Sequence, residues 1–226
     1  GAETGISLFR RESKNRPYER DTITPADAVA VVKNAPAHAR VFLSTYGTYH
    51  NIWGLLRSGP NFDFLLGPDD ALDPEASVHI PHRTVASAFE RHLTKPAFVR
   101  RVQKASTSRV YLLSTPPPKG DNAFMLDRLL SQKNKSYRGR SVEEIGVERP
   151  RTRLKLWQME TSAIARWAAA EGMEFIAAPP TALDGDGYLD PAFYSDATHA
   201  NEHYGALVVD QICAIVEGAS RQRAHG

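Results

Sequence analysis

Short apolar runs alternate with amphipathic segments along the chain. Four runs of five to seven residues are rich in apolar side chains, and each is bounded by glycine, proline or polar residues. Runs of this length without polar alternation are typical of buried strands. They predict strands at 39–45, 62–66, 109–114 and 174–178.

Helical patterns separate these strands. Thr24 followed by Pro25 predicts a helix start, because threonine caps helices and proline favours their first position. Helices are predicted at 26–33, 82–93, 97–105, 122–130, 151–171 and 204–216. The apolar stripe of the longest one consists of Leu154, Trp157, Ile164 and Ala168. The polar and basic segment 133–149 is predicted to be a long surface loop.

This alternation of helices and strands predicts an α/β domain. Short strands that are apolar throughout suit a parallel sheet with helices on both faces. We therefore expect a three-layer α/β/α sandwich with a mostly parallel sheet. A chain of 226 residues is of the size that forms one hydrophobic core, so a single domain is expected over residues 1–226.

Composition and charge exclude several classes of function. The chain has 28 Lys+Arg and 26 Asp+Glu, and this balance predicts no nucleic-acid partner. No run reaches the ~20 apolar residues of a membrane span, and no signal peptide opens the chain. We therefore expect a cytoplasmic protein without a membrane partner; the oligomeric state is left open. Cys213 is the single cysteine, which excludes an intrachain disulfide, and its apolar helical surroundings predict a core position.

The carboxyl ends of the predicted strands are where chemistry is expected. Ligands of open α/β sheets bind outside these ends, which here are 46–48, 115–116 and the loop 179–199. In that loop Asp196 precedes His199 by three residues. The carboxylate can therefore contact one ring nitrogen, fix the tautomer and leave the other nitrogen as a general base. The alternative is that Asp196 caps the closing helix and His199 lies in its first turn.

Several segments are similar to those of a known enzyme family. Asp196-Ala-Thr-His199 resembles the C-terminal Asp-x-x-His block of the SGNH hydrolases, also called GDSL-type esterases. Tyr46-Gly47-Thr48 lies where that family has a Gly-x-Asn block, with Thr48 in place of the asparagine. His50-Asn51 and Phe62-Asp63-Phe64 resemble segments of a bacterial SGNH-like subgroup. The order of these segments is also similar, over roughly residues 24–216.

This resemblance implies a fold, a reaction and a set of site residues. The fold would be a flavodoxin-like α/β/α sandwich, and the reaction hydrolysis of a small-molecule ester, such as an acetyl group on a carbohydrate. His199 would be the general base and Asp196 would orient its ring. Substrate and oxyanion would be held by Gly47, Thr48, His50 and Asn51. The family uses no metal and no organic cofactor.

Two departures from the family keep a second hypothesis open. Thr48 replaces an amide that helps to hold the oxyanion, and loss of one such donor typically costs about 10²–10³ in turnover. The Gly-Asp-Ser block that carries the nucleophile has only a partial counterpart in Gly5-Ile6-Ser7, which lacks the aspartate. The alternative to Ser7 is that the first strand and its serine are missing from this chain. A catalytically inactive module that binds a sugar or an acylated ligand is therefore the second hypothesis.

A third hypothesis is zinc-dependent hydrolysis. The segment from His199 to His203 matches H-x-x-E-H, and two histidines on one helical face can share a metal ion. The further carboxylate would be Glu217, several helical turns away and too far to reach that ion. The alternative is that Glu202 and His203 face the solvent in a first helical turn.

Two loops complete the sequence-based predictions. Residues 184–187 have the sequence Asp-Gly-Asp-Gly, which predicts a tight turn because the full spacing of a calcium loop is lacking. Lys119 follows three prolines and is predicted to lie in an exposed turn, with a substrate contact as the alternative.

Overall fold

The chain forms a mixed α/β structure. The computed structural model describes residues 7, 9–11, 22–36, 38–44, 48–57, 59–93, 97–131, 136–137 and 139–224. Its helices are α1 (Pro25–Lys33), α2 (Tyr49–Gly54), α3 (His82–Leu93), α4 (Ala97–Ala105), α5 (Asn122–Leu130), α6 (Val142–Ile145), α7 (Pro150–Ala170) and α8 (Glu202–Ala224). Its strands are β1 (Arg10–Arg11), β2 (Thr22–Ile23), β3 (Arg40–Leu43), β4 (Phe62–Asp63), β5 (Val78–His79), β6 (Arg109–Leu113), β7 (Ser136–Tyr137), β8 (Arg140–Ser141) and β9 (Glu174–Ile176).

The longest strands form a parallel sheet in the order β3–β6–β9. Val41 lies opposite Val110, and Leu112 lies opposite Phe175. Parallel neighbours need a crossover connection, and helical segments fill the chain between these strands. The strands predicted at 39–45, 109–114 and 174–178 are thereby confirmed, although each one ends earlier than predicted.

The apolar run at 62–66 does not join this sheet. Within this run only Phe62–Asp63 form a strand, β4, which pairs in parallel with β5 in a separate two-stranded sheet. Phe64 lies fully buried in the core instead. The prediction of a strand through Leu66 is therefore wrong beyond Asp63: Phe64 is buried without strand pairing, and Leu65 is exposed.

The predicted start of α1 is confirmed by its capping contacts. The Thr24 hydroxyl accepts the N–H of Asp27 at 3.1 Å, and the Asp27 carboxylate accepts the N–H of Thr24 at 3.2 Å. Pro25 occupies the first helical position. Such reciprocal caps satisfy N–H groups that the helix itself leaves unpaired, which explains why the sequence fixes this boundary.

Part of the segment predicted as a long surface loop, residues 139–149, has regular structure and is partly buried. Residues 139–149 contain β8 and α6, and Val142, Ile145 and Val147 belong to the core. Ser141 and Glu144 form a capping box at the start of α6. The prediction is wrong here because these three apolar residues are buried, although charged residues dominate the surrounding sequence. They suffice to pack a helix of only one turn into the core. Residues 133–135 and 138 lie outside the described residues.

Helix α7 is the central element of the core. It packs against β9, α2 and α3. Trp157, Ile164 and Ala168 of the predicted stripe are buried, whereas Leu154 is half-buried. Burial extends well beyond that stripe to Leu156, Met159 and Ala163, and it includes Arg153, Lys155 and Glu160. A charged side chain in the core requires a partner, and each of these three has one.

Two smaller clusters surround this core. Met125, Val142, Val147 and Ala197 form one of them, and Ala182, Leu189 and Tyr204 form the other. Cys213 is half-buried on α8, so the predicted core position is only partly reached. In the part of the chain that the structure describes, no helix is long and apolar enough to cross a membrane.

Candidate functional site

The segment that follows β9 folds back on itself before α8 begins. The N–H of Ser195 donates to the carbonyl of His199 at 3.2 Å, and the N–H of Asn201 donates to the carbonyl of Phe193 at 2.9 Å. An isolated antiparallel bridge joins Tyr194 to Ala200. These contacts close a turn with residues 196–198 at its tip, which we call the 194–200 turn.

Asp196 and His199 contact each other within this turn. The Asp196 Oδ2 atom lies 2.8 Å from the His199 Nδ1 atom. Its other oxygen, Oδ1, accepts the N–H of His199 at 2.7 Å and the N–H of Thr198 at 2.8 Å. Burial raises the pKa of Asp196, but these two N–H groups and the ring outweigh it and lower the pKa to about 2. The carboxylate is therefore ionised at neutral pH.

An ionised carboxylate only accepts hydrogen bonds, so Nδ1 of His199 carries the donated proton. The Nε2 atom of a neutral ring then holds a free lone pair. The side chain of His199 is 77% exposed, so this lone pair is open to a reactant. No hydrogen bond joins Nε2 to any residue within the described ranges. The pair can act as a general base whose tautomer is fixed by the carboxylate.

The alternative in which Asp196 caps the closing helix is wrong. The Asn201 side-chain oxygen caps α8, accepting the N–H groups of His203 at 3.0 Å and Tyr204 at 3.3 Å. His199 precedes α8 and does not lie in its first turn. The Asn201 amide nitrogen also donates to the carbonyl of Ala192 at 2.8 Å, which fixes the exit of the turn.

The same boundary bears on the zinc hypothesis. His199 lies before α8 and His203 lies within it, so the expectation that they share one helical face is wrong. The Nδ1 atom of His199 is engaged by Asp196. Among the described residues, no three His, Cys, Asp or Glu side chains are grouped in a way that could hold a metal ion. Glu202 and His203 are exposed at the start of α8, as the alternative predicted.

Lys119 is the site residue that the sequence placed wrongly. The prediction of an exposed turn fails because Lys119 is only 2% exposed. Its ammonium donates to the carbonyl of His199 at 2.9 Å. Three preceding prolines exclude a helix at this point, but they do not tell whether the following lysine faces the solvent or the core.

Three residues expected to line the site lie around the start of α2. Thr48 is exposed directly before the helix, and Asn51 is half-buried within it. His50 is 3% exposed, and its Nδ1 atom lies 2.7 Å from Glu160 Oε2. The structure therefore gives His50 a buried structural contact. Gly47 lies outside the described residues, and a role of Thr48, His50 or Asn51 in substrate binding stays a prediction.

The expected nucleophile lies at the start of the described chain. Ser7 is exposed and belongs to no helix or strand. Within the described ranges, no hydrogen bond joins a serine hydroxyl to the His199 ring; the Thr198 hydroxyl lies 3.3 Å from Nδ1, on the side of the ring that faces Asp196. Ser7 as the nucleophile stays a prediction.

A separate cavity of about 240 Å³ lies between α2, β4 and β5. Its walls are mainly apolar and include Trp53, Leu56, Phe62 and Ile80 together with Glu148. Ligand pockets usually measure about 300–1,000 Å³, so only a small group fits. None of its lining residues belongs to the 194–200 turn.

Comparison with known proteins finds no relative: no family model matches the chain, and no curated protein sequence matches it. The site is therefore defined by its geometry, an exposed imidazole–carboxylate pair on a closed turn.

The predicted tight turn at 184–187 is confirmed. The Asp184 carboxylate accepts the N–H groups of Asp186 and Tyr188, both at 2.9 Å, and Gly187 has a φ of 89°.

Proposed function

We propose that this chain is an SGNH-type ester hydrolase in which His199 is the general base and Asp196 orients it. The observation that carries the proposal is the 2.8 Å contact between His199 Nδ1 and Asp196 Oδ2, with Nε2 left open. Two N–H groups on the other carboxylate oxygen support it, because they fix the carboxylate before any substrate arrives. Such preorganisation is what a catalytic base requires.

In the proposed reaction, His199 Nε2 takes the proton of a serine hydroxyl as that oxygen attacks the ester carbonyl. The carbonyl oxygen becomes an oxyanion, for which Gly47 and Asn51 or Thr48 would supply hydrogen bonds. The protonated ring then returns the proton to the departing alcohol, and water releases the acyl group by the same route. The substrate would be a small ester, such as an acetyl group on a carbohydrate.

The layered architecture of the fold is also part of this proposal. A three-layer α/β/α sandwich is supported by the parallel order β3–β6–β9 and by the packing of α7 on β9. A cytoplasmic location stays a prediction.

Hydrolysis of p-nitrophenyl acetate tests the proposal directly. We expect the wild-type protein to release p-nitrophenolate and His199→Ala to lose this activity, because the variant has no base. His203→Ala is the matched control, since His203 is an exposed histidine four residues away that makes no contact with Asp196 through its ring in the described structure. Turnover that survives in His199→Ala would remove this histidine from the mechanism.

A fluorophosphonate probe tests the nucleophile separately. Such a probe labels a serine only where a base activates it. Labelling of Ser7 that disappears in His199→Ala would assign Ser7 as the nucleophile. Labelling of a different serine that also depends on His199 would keep the hydrolase and replace Ser7, and a wild-type protein that takes no label would contradict the proposed hydrolysis.

The second candidate is a binding module without catalysis. It is favoured by the lack of a serine hydroxyl bonded to the His199 ring among the described residues, and by Thr48 in the asparagine position. Calorimetry with a partially O-acetylated xylo-oligosaccharide separates the two candidates. Heat of binding without release of acetate supports the module, whereas acetate release that depends on His199 supports the hydrolase.

A further inference from the structure

Lys119 is one of two buried lysines among the described residues, and the two have very different surroundings. Lys155 is 3% exposed, and its ammonium contacts Asp63 at 2.9 Å and Asp70 at 2.8 Å. Lys119 is 2% exposed, but no carboxylate of the described chain lies within ion-pair distance of it. Burial of an ammonium group is costly unless it is compensated, so the contacts that Lys119 does make are informative.

The contacts of its ammonium are with the 194–200 turn. The ammonium of Lys119 donates to the carbonyl of His199 at 2.9 Å and lies 5.2 Å from the centre of the Tyr194 ring. The carboxylate whose charge acts on it most is Asp196. Burial lowers the pKa of Lys119 to about 8, against the opposing effect of Asp196. Lys119 therefore interacts with Tyr194 at the start of the turn, with Asp196 at its tip and with His199 near its end.

The residues after Lys119 also contact the turn. Burial raises the pKa of Tyr194, and the N–H groups of Asp121 and Gly120 oppose that rise by hydrogen bonding. The Phe124 ring lies against the Tyr194 ring, with 4.9 Å between the ring centres. The segment 119–121 thus contacts both Tyr194, the first residue of the turn, and His199 near its end.

Lys119 is itself held by the central helix. The Arg153 Nη2 atom donates to the carbonyl of Lys119 at 2.6 Å, and Nη1 donates to the Asn122 side chain at 2.6 Å and to the carbonyl of Glu148. The N–H of Leu189 donates to the carbonyl of Pro118 at 3.0 Å. A continuous set of hydrogen bonds therefore connects α7, through Lys119, to the backbone of His199.

We propose that Lys119 is a positioning residue, whose ammonium holds the backbone of His199 so that the ring stays in contact with Asp196. A side chain 77% exposed has little packing to fix its direction, so the backbone beneath it must be fixed instead. The part of this inference that concerns turnover rests on the proposed hydrolase function. The part that concerns the ring stands independently of it.

The ring tautomer provides a measurement that does not depend on activity. Long-range ¹H–¹⁵N spectra of the imidazole show which nitrogen carries the proton, and loss of signals in His199→Ala assigns the ring. We expect the wild-type ring to be protonated at Nδ1 when it is neutral. In Lys119→Met, which keeps most of the side-chain bulk, we expect this preference to be lost because the ring separates from Asp196.

Lys155→Met is the matched control, because Lys155 is equally buried but holds a different segment. It should lower the melting temperature and leave the His199 ring protonated at Nδ1. A Lys119→Met protein that folds and keeps the wild-type ring signals would overturn the proposal. Equal loss of the tautomer preference in both variants would also overturn it, because the effect would then be one of general stability.

If Lys119→Met does not fold, a measurement on the wild-type protein tests the hydrogen bond between Lys119 and His199 without any substitution. The scalar coupling across the hydrogen bond between the Lys119 nitrogen and the His199 carbonyl carbon should be detectable at pH 6. Its absence would overturn the proposal.

Turnover distinguishes this inference from the proposed function. If the chain hydrolyses esters, Lys119→Met should lower kcat about 10- to 100-fold with little change in KM, because misplacement of a catalytic group by about 1 Å has that effect. A tautomer change without wild-type esterase activity would end the proposed function and keep the positioning role. Esterase activity of the wild-type protein, together with an unchanged ring tautomer in folded Lys119→Met, would keep the proposed function and overturn the positioning role.

Discussion

Within the described part of the chain, two histidines bring Nδ1 to a carboxylate, and their surroundings differ completely. His50 lies 2.7 Å from Glu160 with its side chain 3% exposed, whereas His199 lies 2.8 Å from Asp196 with its side chain 77% exposed. The buried pair connects α2 to α7. The exposed pair leaves one nitrogen open to a reactant. At the scale of single residues, the two pairs share their geometry and differ in burial.

Asp196→Asn tests the exposed pair. Asparagine keeps the shape of the side chain but offers an N–H₂ group, so the ring is free to adopt the wrong tautomer. We expect kcat to fall by about 10²- to 10⁴-fold, on the scale of the same change in a serine protease triad. Asp190→Asn is the control, because Asp190 caps a short turn of the same loop through the N–H of Ala192. Equal losses in the two variants would show that the loop, and not the pair, is responsible.

Glu160→Gln tests the buried pair. Both Glu160 oxygens accept hydrogen bonds, from the N–H of Tyr49 at 3.1 Å and from the N–H and ring of His50 at 3.0 and 2.7 Å. An amide would place a donor against these donors, so we expect the free energy of unfolding in urea to fall by about 2–4 kcal/mol. Glu174→Gln should cost at most about 1 kcal/mol, since its pair with Arg109 is exposed. Similar losses in both would contradict this reasoning.

At the scale of elements, buried charges tie loops to α7. Lys155 donates to the carbonyls of Phe64 at 2.9 Å and Ala71 at 3.1 Å, in addition to its contacts with Asp63 and Asp70. Arg149, just before the helix, contacts Asp73 at 2.6 Å. The loop that joins β4 to β5 is therefore held at the amino-terminal half of α7, by ion pairs and by hydrogen bonds to its backbone carbonyls.

This arrangement predicts a dependence of stability on pH. Burial raises the pKa of Asp70, but hydrogen bonds from Lys155 and the N–H of Leu66 outweigh it and lower the pKa to about 2 from an ordinary 3.8. A lowered pKa means that the carboxylate stabilises the fold fully above pH 3.8, and that this contribution is lost as the pH falls towards 2. The stability gap between wild type and Asp70→Asn should therefore be large at pH 6 and small near pH 2.

Urea unfolding of the two proteins across this range measures the gap. Asp69→Asn is the control, because Asp69 is its exposed neighbour and should change little at either pH. A gap for Asp70→Asn that stays constant from pH 6 to pH 2 would show that the carboxylate acts through its shape and not through its charge.

Some elements were predictable from sequence, and the reasons are local. The start of α1 is encoded by Thr24, Pro25 and Asp27, which lie within four positions of one another. The approach of Asp196 to His199 is likewise a contact between neighbours in sequence. By contrast, the partners of Lys119 and Glu160 lie 80 and about 110 residues away. No periodic pattern encodes such a distance, so Lys119 was wrongly predicted in an exposed turn and Glu160 was missed.

Helix α6 shows a second limit of sequence patterns. The segment around it is rich in charge, and this favours a solvent-exposed loop. Ser141 and Glu144 have the spacing of a capping box, and this signal could have located the helix. The burial of Val142 depends on Met125 and Leu129 of α5, which only the folded chain brings close. Local signals therefore locate the element, and tertiary contacts decide its burial.

At the scale of the whole molecule, stability should be distributed unevenly around α7. Ten of the 21 residues of this helix are buried, whereas over residues 202–218 of α8 only Tyr204 is buried and the others are exposed or half-buried. Amides that are shielded by packing exchange through global unfolding, and those in weakly packed helices exchange through local opening. We expect the amides of residues 155–168 to exchange with deuterium at least one order of magnitude more slowly than those of residues 207–216. Equal rates would show that α8 unfolds only together with the core.

The three buried charges of α7 also set a condition on its length. Arg153 and Lys155 lie on one side of residue 157 along the chain and Glu160 on the other, and they hold three different parts of the protein. One residue inserted between Lys155 and Glu160 would rotate everything after it by about 100° and move it by about 1.5 Å along the axis. Glu160 would then leave His50 while Lys155 kept its loop. Related chains should therefore differ in the side chains of this helix but not in its residue count, and insertions should accumulate in turns such as 184–187.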